Sequence, residues 1–188
     1  MNRVLTDFLA ESVEIRQKLL ANSQFSEAFD KAVILLLKTK ALGGTIYTCG
    51  NGGSTCDAVH FVEELVAVYK RERKGIRAAH LMDSSILTCW SNDRSYETVF
   101  SRQVETMCRK GDILVAFTTS GNSKNILSAL EIARKMSIPT ILLTGKDGGL
   151  AKNIADVSLI VPAVTSDRIQ EVHITLVHAF CEILEREL

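Results

Sequence analysis

Short apolar runs alternate with helical stretches along almost the whole chain, and this alternation limits the possible fold more than any other feature. Near the start, apolar residues recur at helical spacing over residues 3–20 and 25–40. The apolar runs that follow predict five strands: Thr45–Cys49, Ile76–Met82, Asp112–Phe117, Pro139–Leu143 and Val157–Val161. Further helices are predicted at Cys56–Arg73 (closing at Gly75), Tyr96–Cys108, Lys124–Lys135 and Ser166–Glu187. Strands of this kind form a mostly parallel sheet covered by helices on both faces.

Charge and hydropathy exclude several classes of protein. Lys and Arg total 22, as do Asp and Glu, so the net charge is zero and non-specific nucleic-acid binding is not expected. No apolar run approaches the roughly 18 residues that span a bilayer. Acidic residues such as Asp7 and Glu11 interrupt the first apolar pattern, so no signal peptide is expected either. The five scattered cysteines include no C-x-x-C pair, which predicts reduced thiols. We therefore expect a cytoplasmic protein with no nucleic-acid or membrane partner.

A glycine-rich turn, CGNGGS at residues 49–54, joins the first predicted strand to a helix. Glycines let the backbone approach a ligand closely, and a helix N-terminus carries a partial positive charge that attracts anions. The turn is not a dinucleotide fingerprint, because Thr55 stands where a glycine would be needed, and no Gly-Lys-Ser/Thr follows as in a P-loop. The sequence therefore predicts either a phosphate cradle or an ordinary tight turn with Ser54 as the helix N-cap.

A second polar turn, TTSGNS at residues 118–123, also lies between a strand and a helix. Its four hydroxyl groups can bind a phosphate without a lysine. The alternative is a hydroxyl-rich loop in which Asn122 or Ser123 caps the following helix. Ligand sites in parallel sheets lie beyond the carboxyl ends of the strands, so two such turns at strand ends support a shared site more strongly than either does alone.

Two basic segments have simpler interpretations than ligand binding. The run KRERK at residues 70–74 is predicted to be the polar end of a helix, where its cations complement the negative end of the helix dipole. Lys146 is followed by Asp147 and two glycines, which predicts a solvated turn.

Candidate metal ligands lie on two of the predicted helices. His60 and Glu64 are four residues apart and therefore share a helix face, where they could chelate a metal or form an ordinary surface pair. On the terminal helix, Gln170 or Glu171 could point into the same site as His178, and periodicity alone does not choose between them. His173 lies on the other flank of that helix and is expected to be exposed or at an interface.

Five motifs together resemble the sugar isomerase (SIS) family. They are CGNGGS-x-CDA-x-HF-x-EEL at Cys49–Leu65, SND at Ser91–Asp93, TTSGNS at Thr118–Ser123, LTGKDGG at Leu143–Gly149 and RIQE-x-HI at Arg168–Ile174. Within that family the chain is most similar to the phosphoheptose isomerases. The resemblance extends over nearly the whole chain in order, and the combination of motifs is highly specific.

The resemblance implies a three-layer α-β-α sandwich with a five-stranded parallel sheet and extra N-terminal helices. It implies one SIS domain over residues 1–188, in which residues 1–42 pack oligomers and residues 43–188 form the α/β core. A homotetramer with active sites at subunit interfaces and one zinc ion per subunit are also implied. The zinc ligands carried over are His60, Glu64, Gln170 and His178. The expected sugar-phosphate contacts are Asn51, Gly52, Gly53, Ser54, Glu64, Asn92, Asp93, Thr118, Thr119, Ser120, Ser123, Asp167 and Gln170.

The implied reaction converts sedoheptulose 7-phosphate to D-glycero-D-manno-heptose 7-phosphate through an enediol(ate). Glu64 is the candidate base and His178 the candidate acid/base. Val68 stands where many members of the family have an arginine, and Trp90 is bulkier than the residues usual before Asn92. The alternative functions are a non-catalytic tetrameric scaffold, of the kind that associates with a replication initiator, and a sugar-phosphate sensor. The retained His60, Glu64, Gln170 and His178 favour the enzyme.

Overall fold

The computed structural model describes residues 2–187 and contains, within that range, five β-strands and seven α-helices. The strands are β1 (Ile46–Gly50), β2 (Ala78–His80), β3 (Ile113–Thr118), β4 (Thr140–Gly145) and β5 (Val157–Val161). The helices are α1 (Asn2–Leu20), α2 (Ser23–Ala41), α3 (Gly53–Val66), α4 (Ser84–Asp93), α5 (Val99–Met107), α6 (Lys124–Lys135) and α7 (Ser166–Arg186).

All neighbouring strands pair in parallel, in the order β2-β1-β3-β4-β5. The strands β3 and β4 are buried along their whole length, as their continuous apolar sequences predict. One core cluster includes Phe61 and Phe180, from α3 and α7, and the other includes Phe100 and Leu130, from α5 and α6. The sheet is thus covered by helices on both faces, and the expected α/β sandwich with a five-stranded parallel sheet is confirmed. Gly50 pairs with Phe117, so the turns that follow β1 and β3 meet at one edge of the sheet.

One helix prediction was wrong, and one helix was not predicted. The predicted helix Cys56–Arg73 begins earlier, at Gly53, and ends at Val66, so the basic run lies beyond it. Gly75 is not its C-terminal glycine; a Cβ there would lie 2.7 Å from the Val66 carbonyl oxygen, so the chain passes too close for a side chain. The helix α4 was not predicted. It begins after Asp83, whose side chain accepts a hydrogen bond from the Ile86 N–H.

The N-terminal helices pack unequally. The helix α2 buries Ala32 and Leu36 in the core, whereas α1 leaves Val4 and Leu9 exposed. Arg168 of α7 holds α1 in place by an ion pair with Glu11 and a cation–π contact with Phe8. The assignment of residues 1–42 to oligomer packing stays a prediction.

Two further sequence expectations concern the cysteines and membrane spans. All five cysteines are free, and Cys49, Cys108 and Cys181 are buried. Across residues 2–187, the helices are too short or too polar to traverse a bilayer.

Candidate active site

A cavity of about 270 Å³ opens at the carboxyl edge of the sheet, where the two polar turns meet. Side chains from α7 close its opposite wall. It is lined by Asn51, Gly53, Ser54, Phe117, Thr118, Thr119, Ser123, Ser166 and Gln170. Most of these residues are polar and uncharged, so the cavity offers many hydrogen-bond donors in a small volume.

The first turn brings the start of α3 close to α7. Gly52, at the N-cap, has φ +56°, a conformation that favours glycine, so the alternative in which Ser54 is the N-cap was wrong. Ser54 lies in the first helical turn and is buried. A Cβ at Gly53 would lie 2.4 Å from the Gln170 Nε2 atom, which shows how tightly the turn and α7 approach each other. The predicted Gln170 is therefore part of the cavity wall.

Gln170 and Glu171, which helical periodicity left as alternatives, point in different directions. Gln170 lines the cavity. Glu171 accepts a hydrogen bond of 3.0 Å from the Ser12 hydroxyl and one of 2.9 Å from Arg168. The side chain of Glu171 is thus committed to the packing of α1, and the structure favours Gln170 as the site residue.

The hydroxyl turn makes hydrogen bonds within the site and across to α7. The Thr118 and Ser123 hydroxyl oxygens lie 3.3 Å apart, and those of Thr119 and Ser166 lie 3.0 Å apart. Ser123 is the N-cap residue of α6 by its backbone, as one of the two alternatives proposed, but its side chain makes no capping bond. The turn therefore combines three hydroxyl groups of the cavity, those of Thr118, Thr119 and Ser123, with the positive end of a helix.

Six predicted contact residues lie outside the cavity lining of the described chain: Gly52, Glu64, Asn92, Asp93, Ser120 and Asp167. The Ser120 hydroxyl accepts a hydrogen bond from the Asn122 N–H. Asn92 and Asp93 are exposed at the end of α4 and bond to each other over 2.8 Å. Asp167 is exposed in the first turn of α7, where a hydrogen bond from the Thr165 side chain lowers its pKa. Their substrate contacts stay predictions.

An amide pair that the sequence analysis missed supports the first turn. Asn51 and Asn125 exchange two side-chain hydrogen bonds of 2.8 and 2.9 Å, and Asn125 is buried. The Tyr96 hydroxyl donates a third bond, of 2.7 Å, to the Asn51 amide oxygen. Asparagine is a poor helix former, so its presence in the first turn of α6, directly after the hydroxyl loop, was the available sequence signal that Asn125 has a role at the site. This pair fixes the glycine turn against the hydroxyl turn.

A cluster of two histidines and one glutamate joins α3 to α7 beside the cavity. The His60 Nε2 atom lies 3.1 Å from His178 Nε2 and 3.3 Å from Glu64 Oε1. On its other side, His60 Nδ1 lies 3.3 Å from Glu63 Oε2, a carboxylate that can hold the ring in the orientation with Nε2 towards the cluster. The three donor atoms lie within 4.8 Å of one another and could hold a metal ion.

The donor set fits zinc. Two imidazole nitrogens and one carboxylate oxygen are a common catalytic zinc ligand set, in which a further position stays open for another ligand. Donor atoms held about 2.0–2.1 Å from a tetrahedral zinc lie roughly 3.3 Å from one another. The spacings of 3.1 and 3.3 Å around His60 Nε2 match that value, and the third pair, His178 and Glu64, lies within 4.8 Å. Three of the four predicted ligands therefore converge, while the fourth, Gln170, lines the adjacent cavity.

The prediction that His173 is exposed or at an interface was wrong. It is fully buried, lies edge-on against Phe117, and has Nε2 at 3.3 Å from the Thr144 carbonyl oxygen. Its Nδ1 atom lies 3.9 Å from Asp57 Oδ2. Burial lowers the pKa of His173 to about 4 and raises that of Asp57 to about 7. The flank of α7 that carries His173 packs on the sheet, which is why it is covered.

Comparison with known proteins gives a consistent result. The SIS domain family matches residues 7–145 of the chain. The chain is 45% identical over 181 residues to a phosphoheptose isomerase of Photorhabdus laumondii, which covers 96% of this chain and 94% of the relative.

Solved structures are similar over the same extent. The phosphoheptose isomerase GmhA of Neisseria gonorrhoeae superposes with a TM-score of 0.90 at 38% identity, covering 98% of both chains. A phosphoheptose isomerase of Francisella tularensis gives a TM-score of 0.92 at 32% identity, covering 98% of this chain and 97% of the other.

Proposed function

The chain belongs to the SIS domain family, among the phosphoheptose isomerases, and we propose that it converts sedoheptulose 7-phosphate to D-glycero-D-manno-heptose 7-phosphate. The reaction class is ketose–aldose isomerisation of a heptose phosphate. One observation carries the proposal: a cavity rich in hydroxyl groups and a His/Glu/His cluster lie on the same pair of helices. His60 follows Gly53 by seven residues on α3, roughly 10 Å along the helix axis, a distance on the scale of an extended sugar phosphate.

The cavity is suited to bind the phosphate at one end of the substrate. Thr118, Thr119 and Ser123 offer hydroxyl donors, and the N-termini of α3 and α6 add backbone N–H groups and partial positive charge. In residues 2–187 no Lys or Arg lines this cavity, and Val68 is exposed beyond the end of α3. We therefore assign phosphate binding to neutral donors, which hold the reacting carbons at a fixed distance.

Glu64 and His178 are positioned for the proton transfers. Glu64 would take the proton from C1 and return it to C2, so that an enediol(ate) forms between the two steps. His178 would move a proton between the oxygens on C1 and C2 and assist ring opening. Glu64 has two carboxylate oxygens, of which Oε1 faces His60, so the other oxygen can serve as the base.

We propose one Zn²⁺ per subunit, held by His60, Glu64, Gln170 and His178. When bound, the metal would orient these side chains and polarise the substrate carbonyl as a Lewis acid. The proposal is supported by the spacing of the three converging donor atoms and by the position of Gln170 on the neighbouring wall.

We also propose a cytoplasmic homotetramer with active sites at subunit interfaces. Support comes from α1, whose residues Val4, Leu5, Leu9 and Val13 are all more than half exposed. A contiguous apolar face of this kind is typical of a surface covered by another protein chain. Light scattering after size exclusion should give the mass of four chains, and a monomer would contradict this proposal.

The reaction can be tested by incubating the protein with sedoheptulose 7-phosphate and following aldose signals by NMR, with and without a chelator. Glu64→Gln should abolish isomerisation while the fold and the oligomer stay intact, because the substitution removes the carboxylate that serves as base and proposed metal ligand but keeps the size of the side chain. Glu131→Gln, an exposed carboxylate on α6, is the matched control and should keep full activity. Near-normal turnover by Glu64→Gln would remove Glu64 from this role.

His178→Gln tests the metal assignment separately. It should lose most activity and also retain less zinc, measured by plasma emission spectroscopy, since one of the converging nitrogens is gone. Zinc content equal to that of the unmodified protein would exclude His178 as a ligand.

A further inference from the structure

The segment that follows α3, residues 67–77, folds back across α7, and we refer to it as the 67–77 strap. Arg73 fastens it to α3: its guanidinium donates 2.9 and 2.7 Å hydrogen bonds to the carbonyl oxygens of Leu65 and Glu64. These are two of the carbonyls left without helical partners at the C-terminus of α3. The prediction that the basic run is the end of a helix was wrong; Arg73 reaches back to the C-terminus of α3 from outside the helix.

Glu185 of α7 holds the other side of the strap. It pairs with Arg73 at 3.1 Å, and both side chains are almost completely buried. It also accepts hydrogen bonds from the backbone N–H groups of Lys70 and Arg71. Burial disfavours ionisation of Glu185, but the hydrogen bonds from Arg71, Lys70 and Arg73 outweigh it and keep its pKa below the usual range. A buried, fully bonded carboxylate of this kind fixes the backbone around it.

The fixed backbone presents Tyr69 to the candidate cluster. The rings of Tyr69 and His178 lie 5.9 Å apart between centroids, with 23° between their planes. This is an offset stack within the usual range for aromatic pairs. His60 contacts the same imidazole edge-on, with centroids 5.3 Å apart. His178 therefore contacts one ring from α3 and one ring from the strap.

We propose that Tyr69 is a positioning residue, whose ring, held in place by the strap, fixes the orientation of the His178 imidazole for proton transfer. This proposal rests on the proposed function only for its kinetic consequence. The stacking itself is a geometric statement about the apo protein. If the His178 imidazole could turn away from the substrate oxygens, it would lose the orientation needed for proton transfer. Small misplacements of catalytic groups lower the reaction rate strongly.

The geometry can be measured directly by NMR on protein labelled at histidine and treated with a chelator. The chain has four histidines, so the His178 ring signals can be assigned by their loss in His178→Gln. In Tyr69→Leu these signals should shift, because the ring current of the tyrosine is gone, whereas Tyr69→Phe should keep them near their original positions. Unmoved His178 signals in folded Tyr69→Leu would overturn the proposal.

Enzyme kinetics test the expected effect of the ring orientation on the reaction rate. Tyr69→Leu should lower kcat by about tenfold or more, with KM changed by less than about twofold because the cavity residues are untouched. Tyr69→Phe should retain most of kcat. An equal loss in Tyr69→Phe would assign the effect to the hydroxyl group and refute positioning by the ring. If the unmodified protein shows no isomerisation, the proposed function fails while the NMR result still decides the stacking.

A matched pair of substitutions on α7 tests whether the strap holds the Tyr69 ring against His178. Glu185→Gln removes the buried charge that holds Arg73 and should shift the His178 signals in the same direction as Tyr69→Leu. Glu182→Gln, one turn away, removes ion pairs to Lys70 and Arg186, whose side chains are both exposed, and should leave those signals and kcat unchanged. Equal behaviour of the two variants would contradict the strap as the source of the ring position.

Discussion

The buried residues Asp57 and His173 should have opposite effects on the pH dependence of stability, and these effects should cancel in the intact protein. Their nearest polar atoms, Asp57 Oδ2 and His173 Nδ1, lie 3.9 Å apart, and within the described residues neither has a hydrogen-bond partner. Burial raises the pKa of Asp57 from 3.8 to about 7 and lowers that of His173 from 6.5 to about 4. Between pH 4 and 6.5 the folded pair holds one proton, on Asp57, and the unfolded pair also holds one, on His173. Equal proton numbers give no dependence of stability on pH.

Removing either member should reveal the contribution of the other. In Asp57→Asn, only the unfolded state binds a proton in this window, so stability should rise from pH 4 to 6.5. In His173→Gln, only the folded state binds one, so stability should fall as the pH rises from 4 to 7. One proton corresponds to about 1.4 kcal/mol per pH unit, so each effect amounts to roughly 3–4 kcal/mol over its window.

The assay is urea unfolding of the chelator-treated protein at half-unit steps from pH 4.5 to 7.5. Subtracting the unmodified protein's free energy of unfolding from that of each variant removes the contributions of all other groups. The two difference curves should have slopes of opposite sign, and the double variant should return to a flat curve. Two parallel flat curves would refute the assignment of a neutral buried pair.

Two further substitutions separate the site from the fold. Gly53→Ala should leave the melting temperature unchanged or slightly raised, because alanine is the better helix former by up to about 1 kcal/mol. It should nevertheless lower kcat/KM by at least about tenfold, since the new methyl group displaces the Gln170 amide from the cavity wall. Asn125→Leu should cost about 1–3 kcal/mol of unfolding free energy in urea and raise KM, because it leaves Asn51 without its buried amide partner.

Hydrophobic pattern was enough to predict most of the fold. The helix Lys124–Lys135 and the strand Val157–Val161 have the predicted bounds, because each is bordered by clear turn residues. The sequence did not reveal the end of α3, since residues 67–73 continue a helix-compatible composition. The chain leaves the helix where Arg73 and the backbone N–H groups of Lys70 and Arg71 bind Glu185 of α7. The helix α4 was missed because Ser, Thr and Cys are abundant in it and its apolar face is narrow.

For the site, local spacing placed His60 and Glu64 on one face but gave no information about which residue of α7 faces them. That choice depends on tertiary packing: Glu171 is bound to Ser12 and Arg168, which leaves Gln170 on the cavity side. The family resemblance had already selected Gln170. The resemblance indicated neither Asn125 nor the burial of His173. For Asn125 the available signal was an asparagine in the first turn of α6, whereas the burial of His173 depends on how α7 packs on the sheet.

The helices α3 and α7 each contribute to both the cavity and the His/Glu/His cluster. Gly53 and Gln170 face each other at one end, and His60 and His178 face each other further along. One interhelical spacing therefore sets the dimensions of both places. A sugar phosphate that fixes this spacing should tighten the hold on a metal, and the metal should by thermodynamic reciprocity strengthen sugar-phosphate affinity by the same factor.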